Sequence, residues 1–312
     1  MPAPVSRVLL TLLTILVFLV GAGVAIGGVR GYIVPPASAA ITPAGRPAVA
    51  ARSYVENLSK WKLVFADDFS GPAGSLPNQK YWIMTSGRDY GIATDVASGS
   101  NVHLSGNGAL EIEAIHQGGR WTSGEVQSKE AFEPGLGQDL IVTAHLKLPS
   151  GGQGYWPAFW AVGLPFRTNP NSEPTAGEID IAETINDDKW LAQVLHCGPR
   201  KGGPCKENES RANGIGHIRM LSRPSGSIGW NTYGWEWVNR RVDPYIELTM
   251  NGVVELKVSR NMIGAVVWHA AFDHPWYLVV DLAIGGGWPG PPSPSSASEG
   301  SISISRLSVY KS

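Results

Sequence analysis

Charged side chains are scarce in this 312-residue sequence. Lys and Arg number 25 and Asp and Glu 26, together 16% of the chain, for a formal net charge of −1. A typical globular protein has about 25% charged residues. With neither a basic excess nor basic runs, the chain does not have the electrostatic pattern of a nucleic-acid-binding protein. Apolar residues make up 43%, which argues against a wholly disordered chain.

Cysteine is also scarce, with only Cys197 and Cys205, in the segment HCGPRKGGPC. Together with His196 they supply too few ligands, too widely spaced, for a zinc site. Outside the cytosol, two nearby cysteines are expected to form one disulfide, which here closes a Gly/Pro loop.

Turn-forming residues are abundant, with 38 Gly and 23 Pro, so long helices are not expected. From Trp61 onward, short apolar stretches alternate with turn signals, without a βα rhythm or an internal repeat. The pattern predicts an antiparallel sandwich or barrel. Hairpins are predicted at residues 102–114 and 245–258, further strands at 140–148, 276–284 and 302–310, and a surface loop at 289–298.

The N-terminus has the pattern of a targeting segment. Arg7 precedes an uncharged, largely apolar run at residues 8–29, and small residues follow at 37–40. The pattern predicts a secretory signal cleaved after Ala39, but the run is also long enough for a signal anchor with the domain outside. The predicted organisation is therefore a signal peptide or signal anchor at 1–40, a linker at 41–60 and one domain at 61–312.

The segment GEIDIAE, residues 177–183, places Glu178, Asp180 and Glu183 on a predicted strand. Residues i and i+2 share a face of a strand, so Glu178 and Asp180 point the same way. Glu183, at i+5, would point the other way unless a β-bulge inserts one residue, Ala182 or a neighbour. The intervening apolar residues are expected to face the core.

Three carboxylates on one face repel each other, and such an arrangement is typical of acid/base chemistry. Retaining glycosidases use two carboxyl groups about 5–5.5 Å apart, one as nucleophile and one as acid/base. Spacing alone leaves two alternatives open, an acidic solvent-facing edge strand and a calcium site.

The acidic segment is one of several sequence stretches that occur along the chain in the order typical of one enzyme family. With them, the sequence resembles glycoside hydrolase family 16, in particular its laminarinase-like members with a bulged E-x-D-x-x-E signature. The resemblance covers nearly the whole chain after the linker. Besides the acidic segment, the matching stretches are residues 63–71, 100–114, 121–129, 132–137, 146–163, 272–290 and 302–310.

This resemblance implies an all-β fold, a concanavalin A-like jelly-roll sandwich of two antiparallel sheets with a concave glycan-binding cleft. By position, Glu178 corresponds to the nucleophile, Glu183 to the acid/base and Asp180 to the carboxylate between them. Glu183 must be protonated to assist the leaving oxygen, so its pKa is expected to be raised by burial and by the neighbouring carboxylates.

Aromatic residues suit a sugar cleft, because pyranose rings pack their C–H faces on tryptophan. Trp156 and Trp160 should share one strand face, with Phe159 opposite, and Trp288 matches a family tryptophan. His196 matches a family histidine near the cleft and could bond a substrate hydroxyl or a carboxylate. Core packing is the alternative for each tryptophan, and it is the prediction for Trp235, Trp237 and Trp276.

The chain departs from the family pattern in two places. Ser305 stands where relatives often have an acidic calcium ligand, so a full calcium site is not expected, although Asp67 or Asp68 could still hold one. No cofactor is required for the chemistry. Between residues 163 and 178, where relatives often have another cleft tryptophan, this sequence has none.

The functional hypothesis is a retaining glycoside hydrolase acting on β-1,3-linked or mixed-linkage glucan. The alternatives are a cell-wall transglycosylase, a hydrolase of another β-glycan such as galactan, and a non-catalytic jelly-roll glycan-binding protein. A polysaccharide is the expected partner, and the protein is expected to be a monomer. It is expected to be secreted, or anchored through residues 8–29 with the domain outside.

Overall fold

The computed structural model describes residues 60–87, 91–187, 190–198, 204–205, 215–220 and 229–312. The predicted leader and nearly all of the predicted linker lie outside these residues. None of the helices in the described part of the chain has the length and hydropathy needed to cross a bilayer.

The described residues are mostly β-strand. In chain order the strands are β1 (Lys62–Asp67), β2 (Trp82–Met84), β3 (Thr94–Asp95), β4 (Val102–Leu104), β5 (Leu110–Gln117), β6 (Arg120–Ser123), β7 (Glu125–Ser128), β8 (Asp139–Lys147), β9 (Tyr155–Gly163), β10 (Glu178–Glu183), β11 (Trp190–His196), β12 (Ile215–Met220), β13 (Asn231–Val238), β14 (Tyr245–Met250), β15 (Val253–Ser259), β16 (Trp276–Ile284) and β17 (Glu299–Lys311). Two short helices, α1 (Arg260–Ile263) and α2 (Ala265–Ala271), lie between β15 and β16.

The strands form two sheets. One has ten strands in the order β15-β14-β13-β8-β17-β5-β6-β3, with β1 also paired to β17 and β4 to β5. The other has seven, in the order β12-β11-β10-β9-β16-β7-β2, and all its pairs are antiparallel. A short parallel pair, β3 with β6, is the exception in the larger sheet. The predicted sandwich is thereby confirmed.

The core lies between the two sheets. Trp235 on β13 and Trp276 on β16 bring their rings to 5.6 Å across it, and both are fully buried, as is Trp237. The predicted core packing of these three tryptophans is confirmed. The Gln193 side chain of β11 also crosses the core and donates to the backbone oxygen of Thr249, at 3.3 Å.

The strands and turns predicted from the sequence are present. Strands β4 and β5 form the first predicted hairpin, and β14 and β15 form the second. In the second hairpin the turn residues Asn251 and Gly252 have φ angles of 51° and 79°. Two positive φ angles are characteristic of the type I′ turn, which the Asn-Gly pair favours.

The helices α1 and α2 were not predicted. They are too short to show the 3.6-residue periodicity that identifies a helix. Trp268 of α2 is nevertheless fully buried, and its ring lies 5.0 Å from that of Phe272. This packing attaches the segment before β16 to the core.

Glu236 on β13 makes the stability of the fold depend on pH. It lies on the outer face of the larger sheet, directly opposite Glu247 on β14. Burial, and then the charges of Glu247 and Asp139, raise its pKa from 4.5 to about 7. Because the folded state binds this proton more tightly than the unfolded state, its stabilising contribution is complete below pH 4.5 and is lost as pH rises through about 7.

Glu236→Gln is expected to flatten this dependence, since the amide does not titrate. Urea unfolding at pH 5, 6 and 7 should show a smaller fall in the free energy of unfolding than in wild type. Glu133→Gln, at an exposed loop position, provides the control with an unchanged slope. An unaltered slope in the Glu236 variant would show that another group carries the effect.

Candidate active site

The acidic segment forms β10, and its register contains the predicted bulge. Opposite β9, Asp180 pairs with Trp160 but Ala182 pairs with Phe159, so one extra residue stands on β10. Opposite β11, the same irregularity falls between Asp180 and Glu183. An inserted residue reverses the parity of everything after it, so it turns the side chain of Glu183 to the other face.

Residues of β9 show that the three carboxylates share one face. Glu178, Asp180 and Glu183 pair with Val162, Trp160 and Ala158, which alternate regularly along their strand. The residues between them, including Ile179, Ile181 and Ala182, are fully buried in the core, as predicted. We call the outer side of the seven-stranded sheet the carboxylate face, defined by Glu178, Asp180, Glu183, His196 and Asp281.

Asp180 lies at the centre of this face, and His196 holds it. Nε2 of His196 lies 3.1 Å from Oδ2 of Asp180, so the histidine contacts a carboxylate, one of its two expected partners. An oxygen of Glu178, an oxygen of Asp180 and a nitrogen of His196 lie within 4.8 Å of one another. Both Asp180 and His196 are buried, so water screens their charges little.

Glu183 is arranged to hold a proton. Burial, and then the charge of Asp180, raise its pKa from 4.5 to about 8, as predicted. The hydrogen bond that Nε1 of Trp156 donates to Oε1 of Glu183, at 2.6 Å, acts in the opposite direction because it favours the carboxylate, and so does His196. The balance leaves a carboxylic acid at neutral pH, which is what a general acid requires.

The pKa of Glu178 is also raised well above its ordinary value. Burial is the largest cause, followed by the charges of Asp180 and Glu173, while His196 opposes them. The sequence did not indicate Glu173, because it lies in an irregular segment between β9 and β10 where no periodicity assigns a direction to a side chain.

Three tryptophans lie together beside Glu183. The ring of Trp288 lies 5.6 Å from that of Trp156, edge to face, and 5.5 Å from that of Trp190. Trp288 is 39% exposed, so the group, here called the tryptophan cluster (Trp156, Trp190 and Trp288), is open to a ligand. Trp190 was missed, although counting back in twos along β11 from His196 would have placed it on the carboxylate face.

Trp160 is located on the predicted face, but its ring is covered. It is 6% exposed and packs with Val162, Phe166 and Tyr277 in a small apolar cluster outside the main core. Its Nε1 donates to Oδ1 of Asp281, at 2.8 Å. Trp160 therefore packs and hydrogen-bonds within the protein, and its ring is not open to a sugar. Phe159 is buried on the opposite side of the strand, as predicted.

Asp281 on β16 extends the acidic surface beyond β10. It pairs with Ala158, which in turn pairs with Glu183, so the three residues lie in one row across the sheet. On its other side Asp281 pairs with Glu125 of β7. Burial and the charge of Glu125 raise its pKa well above the ordinary value, so a protonated carboxyl group is favoured there.

Comparison with known proteins is consistent with this geometry. Residues 93–221 match the family model described as XgeA-like, catalytic GH16 domain. The solved endo-1,3-beta-glucanase from Streptomyces sioyaensis is 33% identical, with a TM-score of 0.77, over 81% of this chain and 97% of that one. The chain belongs to glycoside hydrolase family 16.

Other relatives are more distant. A beta-glucanase from Rhodothermus marinus is 25% identical over 240 residues, which cover 74% of this chain and 78% of that protein. A keratan-sulfate endo-1,4-beta-galactosidase from Sphingobacterium multivorum is 28% identical over 195 residues. That match covers 62% of this chain but only 40% of the galactosidase.

The oxygen atoms around Asp67 and Asp68, the residues considered for calcium, do not fit a calcium site. Oδ1 of Asp67 accepts from the backbone N–H of Phe69 and Oδ2 from Nε1 of Trp82, both at 2.8 Å. The adjacent cavity, of about 420 Å³, is lined by Asp67, Asp68 and also by Arg306. Carboxylate oxygens that already accept hydrogen bonds, beside a guanidinium, make a poor calcium site.

In this family 16 enzyme, Trp156→Phe is expected to raise the pKa of Glu183 above about 8, because the variant loses the N–H that favours the carboxylate. A hydrogen bond to a charged group contributes about 1.5–3 kcal/mol, equivalent to at least about one pH unit. The basic limb of the kcat/KM profile should therefore move to higher pH. Trp288→Phe alters the same cluster without removing that hydrogen bond, so it should change KM and leave the basic limb at the wild-type pH. A basic limb at the same pH in both variants would refute the assignment of this limb to Glu183.

Proposed function

We propose that this protein is a retaining glycoside hydrolase that cleaves internal β-1,3 linkages of glucan. The observation that carries the proposal is the bulged strand β10, which places Glu178 and Glu183 on one face with Asp180 between them. The names of its relatives support the substrate, since the Streptomyces sioyaensis structure is an endo-1,3-beta-glucanase.

In the first step, Glu183 gives its proton to the glycosidic oxygen while a carboxylate oxygen of Glu178 attacks the anomeric carbon. The bond from that carbon to the leaving oxygen breaks, and a covalent glycosyl–enzyme ester forms. Asp180, held by His196, helps to keep Glu183 protonated until this step. The positive charge that develops on the sugar favours ionised Glu178 in the transition state.

In the second step, Glu183 acts as a base. It takes a proton from water as the water oxygen attacks the anomeric carbon, and the ester bond to Glu178 breaks. The sugar leaves with its original configuration after two inversions, Glu178 returns to a carboxylate and Glu183 is protonated again.

The tryptophan cluster supports binding of a neutral glycan. A chain of uncharged sugars offers no ionic group, so it must be held by stacking and hydrogen bonds. The exposed ring of Trp288 and its partners lie next to Glu183, where a sugar flanking the scissile bond would pass. This agrees with a protein whose net charge is only −1.

Purified full-length protein incubated with a β-1,3-glucan, a mixed-linkage β-1,3/1,4-glucan and a β-galactan would test the proposal. We expect oligosaccharides of several lengths from the first glucan, with the β-anomer appearing first by ¹H NMR. An initial α-anomer would reject retention, and release of monosaccharide alone would reject internal cleavage. Products longer than the substrate would indicate transglycosylation, and binding without cleavage would indicate a glycan-binding protein.

We also propose that the catalytic domain acts outside the cytosol, either secreted or anchored through residues 8–29. The apolar run supports this location, and so does the disulfide between Cys197 and Cys205, since such bonds persist in oxidising compartments. Immunoblots of culture medium, membrane and cytosolic fractions test it. Recovery in the cytosol would contradict it, and an N-terminus at Ala40 in the medium would establish cleavage after Ala39.

A further inference from the structure

The bulge of β10 has a defined inserted residue. Opposite β9 the register passes from Asp180 directly to Ala182, and opposite β11 it passes from Asp180 to Glu183. Ile181 is therefore in register with a residue of neither neighbouring strand, and both strands lie within the described part of the chain. A bulge leaves its extra residue outside the regular ladder, so the backbone of Ile181 needs another contact to hold it in place.

Gln193 on β11 supplies that contact. Its Nε2 donates to the backbone oxygen of Ile181 at 2.7 Å and to that of Thr249 on β14 at 3.3 Å. Because both acceptors are backbone oxygens, the amide can form these bonds only with its nitrogen turned toward them. One side chain thus connects the bulge of β10 with the facing sheet.

The surroundings of Gln193 indicate that its hydrogen bonds are the reason for its presence. It stands between Leu191 and Leu195 on the core-facing side of β11, and all three side chains are fully buried. A buried amide is unfavourable unless it is hydrogen-bonded, and an apolar residue would continue the pattern of the strand. What distinguishes Gln193 from such a residue is its contact with Ile181.

The backbone is anchored again just after Glu183. Thr184 is fully buried, its N–H donates to the oxygen of Pro157 on β9 at 3.4 Å, and its Oγ1 donates to the oxygen of Trp190 on β11 at 2.8 Å. Glu183 therefore lies between two anchored positions, Ile181 and Thr184. Since one inserted residue decides which face a strand residue occupies, the anchor at Ile181 is the one that sets the direction of Glu183.

Resting on the proposed function, we propose that Gln193 is a positioning residue for the acid/base Glu183, which it keeps on the carboxylate face by holding the backbone of Ile181 in the bulge. Gln193 lies in the core, on the other side of the sheet, and touches no substrate. Without its hydrogen bond the bulge loses a support, and Glu183 shifts away from Trp156 and from the glycosidic oxygen. A misplacement of about 1 Å can lower a rate by about 100-fold.

Gln193→Met tests the proposal, because methionine has a similar length and volume but no donor. We expect kcat for β-1,3-glucan hydrolysis to fall by about 10- to 100-fold, with little change in KM because the exposed ring of Trp288 is retained. Val309→Ala, in the core on β17, is the control. It should lower the unfolding midpoint but keep the wild-type kcat well below that midpoint. An equal loss of kcat in both variants would attribute the effect to stability and overturn the role of Gln193.

Gln193→Glu is the conservative variant. Burial favours its protonated carboxyl group, which keeps one donor in a side chain of nearly the same shape. We expect this variant to have a kcat much closer to wild type than Gln193→Met. If the methionine variant does not fold, Gln193→Glu decides alone. A folded glutamate variant with a kcat lowered by about 10-fold or more would contradict the role of the donor.

A spectroscopic measurement does not depend on activity. It follows the hydrogen bond that Nε1 of Trp156 donates to Oε1 of Glu183 at 2.6 Å. In protein labelled with ¹⁵N in its tryptophans, the indole resonance missing from Trp156→Phe belongs to Trp156. A short bond to a carboxyl oxygen moves the proton resonance downfield, so it should return upfield in Gln193→Met and stay in place in Val309→Ala.

The outcomes separate this proposal from the proposed function. An unchanged Trp156 resonance in folded Gln193→Met would overturn the positioning role, even if the wild-type protein cleaves glucan. Wild-type protein that cleaves no glycan, with the Trp156 resonance displaced only in Gln193→Met, would refute the proposed function and leave the positioning of Glu183 by Gln193 established.

Discussion

Glu178→Gln is expected to lower kcat for β-1,3-glucan hydrolysis by at least about 1,000-fold, since loss of a residue that forms the covalent intermediate costs several orders of magnitude. The amide has nearly the same shape but cannot form the glycosyl ester. KM should change little, because sugar binding is attributed to the tryptophan cluster. Reducing-end release from the glucan in wild type and variant measures the loss.

The fold provides an independent control for this variant. Glu178 lies half-buried beside the buried carboxyl group of Asp180, and its pKa is raised well above the ordinary value because its ionised form is unfavourable there. Removing that charge should leave the unfolding midpoint at neutral pH unchanged or higher. Near-normal hydrolysis by a folded variant would disprove the nucleophile assignment, whereas a large loss of stability would attribute lost activity to unfolding.

A chemical rescue can distinguish the nucleophile from a merely nearby carboxylate. In Glu178→Ala the removed side chain leaves space for azide, which can attack the anomeric carbon directly while Glu183 protonates the leaving oxygen. One displacement inverts the configuration, so the expected product is an α-glycosyl azide. A β-glycosyl azide would assign the acid/base role to Glu178 instead.

Glu183→Gln is expected to lower glucan hydrolysis by a similar factor, roughly 1,000-fold, because the sugar leaving group needs a proton. The loss should be much smaller in the first step for a leaving group that departs without a proton. An aryl β-glycoside with a dinitrophenolate leaving group departs without protonation. Its first step should stay fast, while the second step slows because no base activates water. A burst of phenolate followed by slow turnover is therefore expected in rapid-mixing measurements.

Azide should accelerate turnover of this variant, since an anion needs no base, and the product should be a β-glycosyl azide formed by two displacements. Equal losses for glucan and aryl glycoside, with no burst, would remove Glu183 from the acid/base role. Asp281→Asn is a useful comparison, because it changes a neighbouring carboxyl group in the same row of the sheet and should show no such dependence on the leaving group.

Much of the fold was predictable because alternation of apolar residues is a local property. The strands β9, β10 and β16, and the Asn-Gly turn at 251–252, follow from period-2 patterns and turn chemistry. Even the bulge could be anticipated, since Glu183 stands an odd number of positions from Glu178 and must be turned to reach the same face.

The sequence by itself therefore determined the strands, their buried faces and the carboxylate trio of Glu178, Asp180 and Glu183. It did not determine which residues lie beside the trio. Asp281 lies about 100 positions beyond Glu183 in the chain, and only the pairing of β9 with both β10 and β16 places the two carboxyl groups in one row. Periodicity tells which face a side chain occupies, but register and strand order decide its neighbour.

Only the tertiary structure revealed that Trp160 is covered and that the charge of Glu173 acts on the pKa of Glu178. Burial of Trp160 depends on Phe166 and Tyr277, which come from a 3-10 turn and from another strand. The position of Glu173 depends on an irregular turn and on the close approach of Gly177 to Ala271. Neither arrangement has a repeating pattern, so the sequence could identify the carboxylates of β10, but the groups that surround them became visible only in three dimensions.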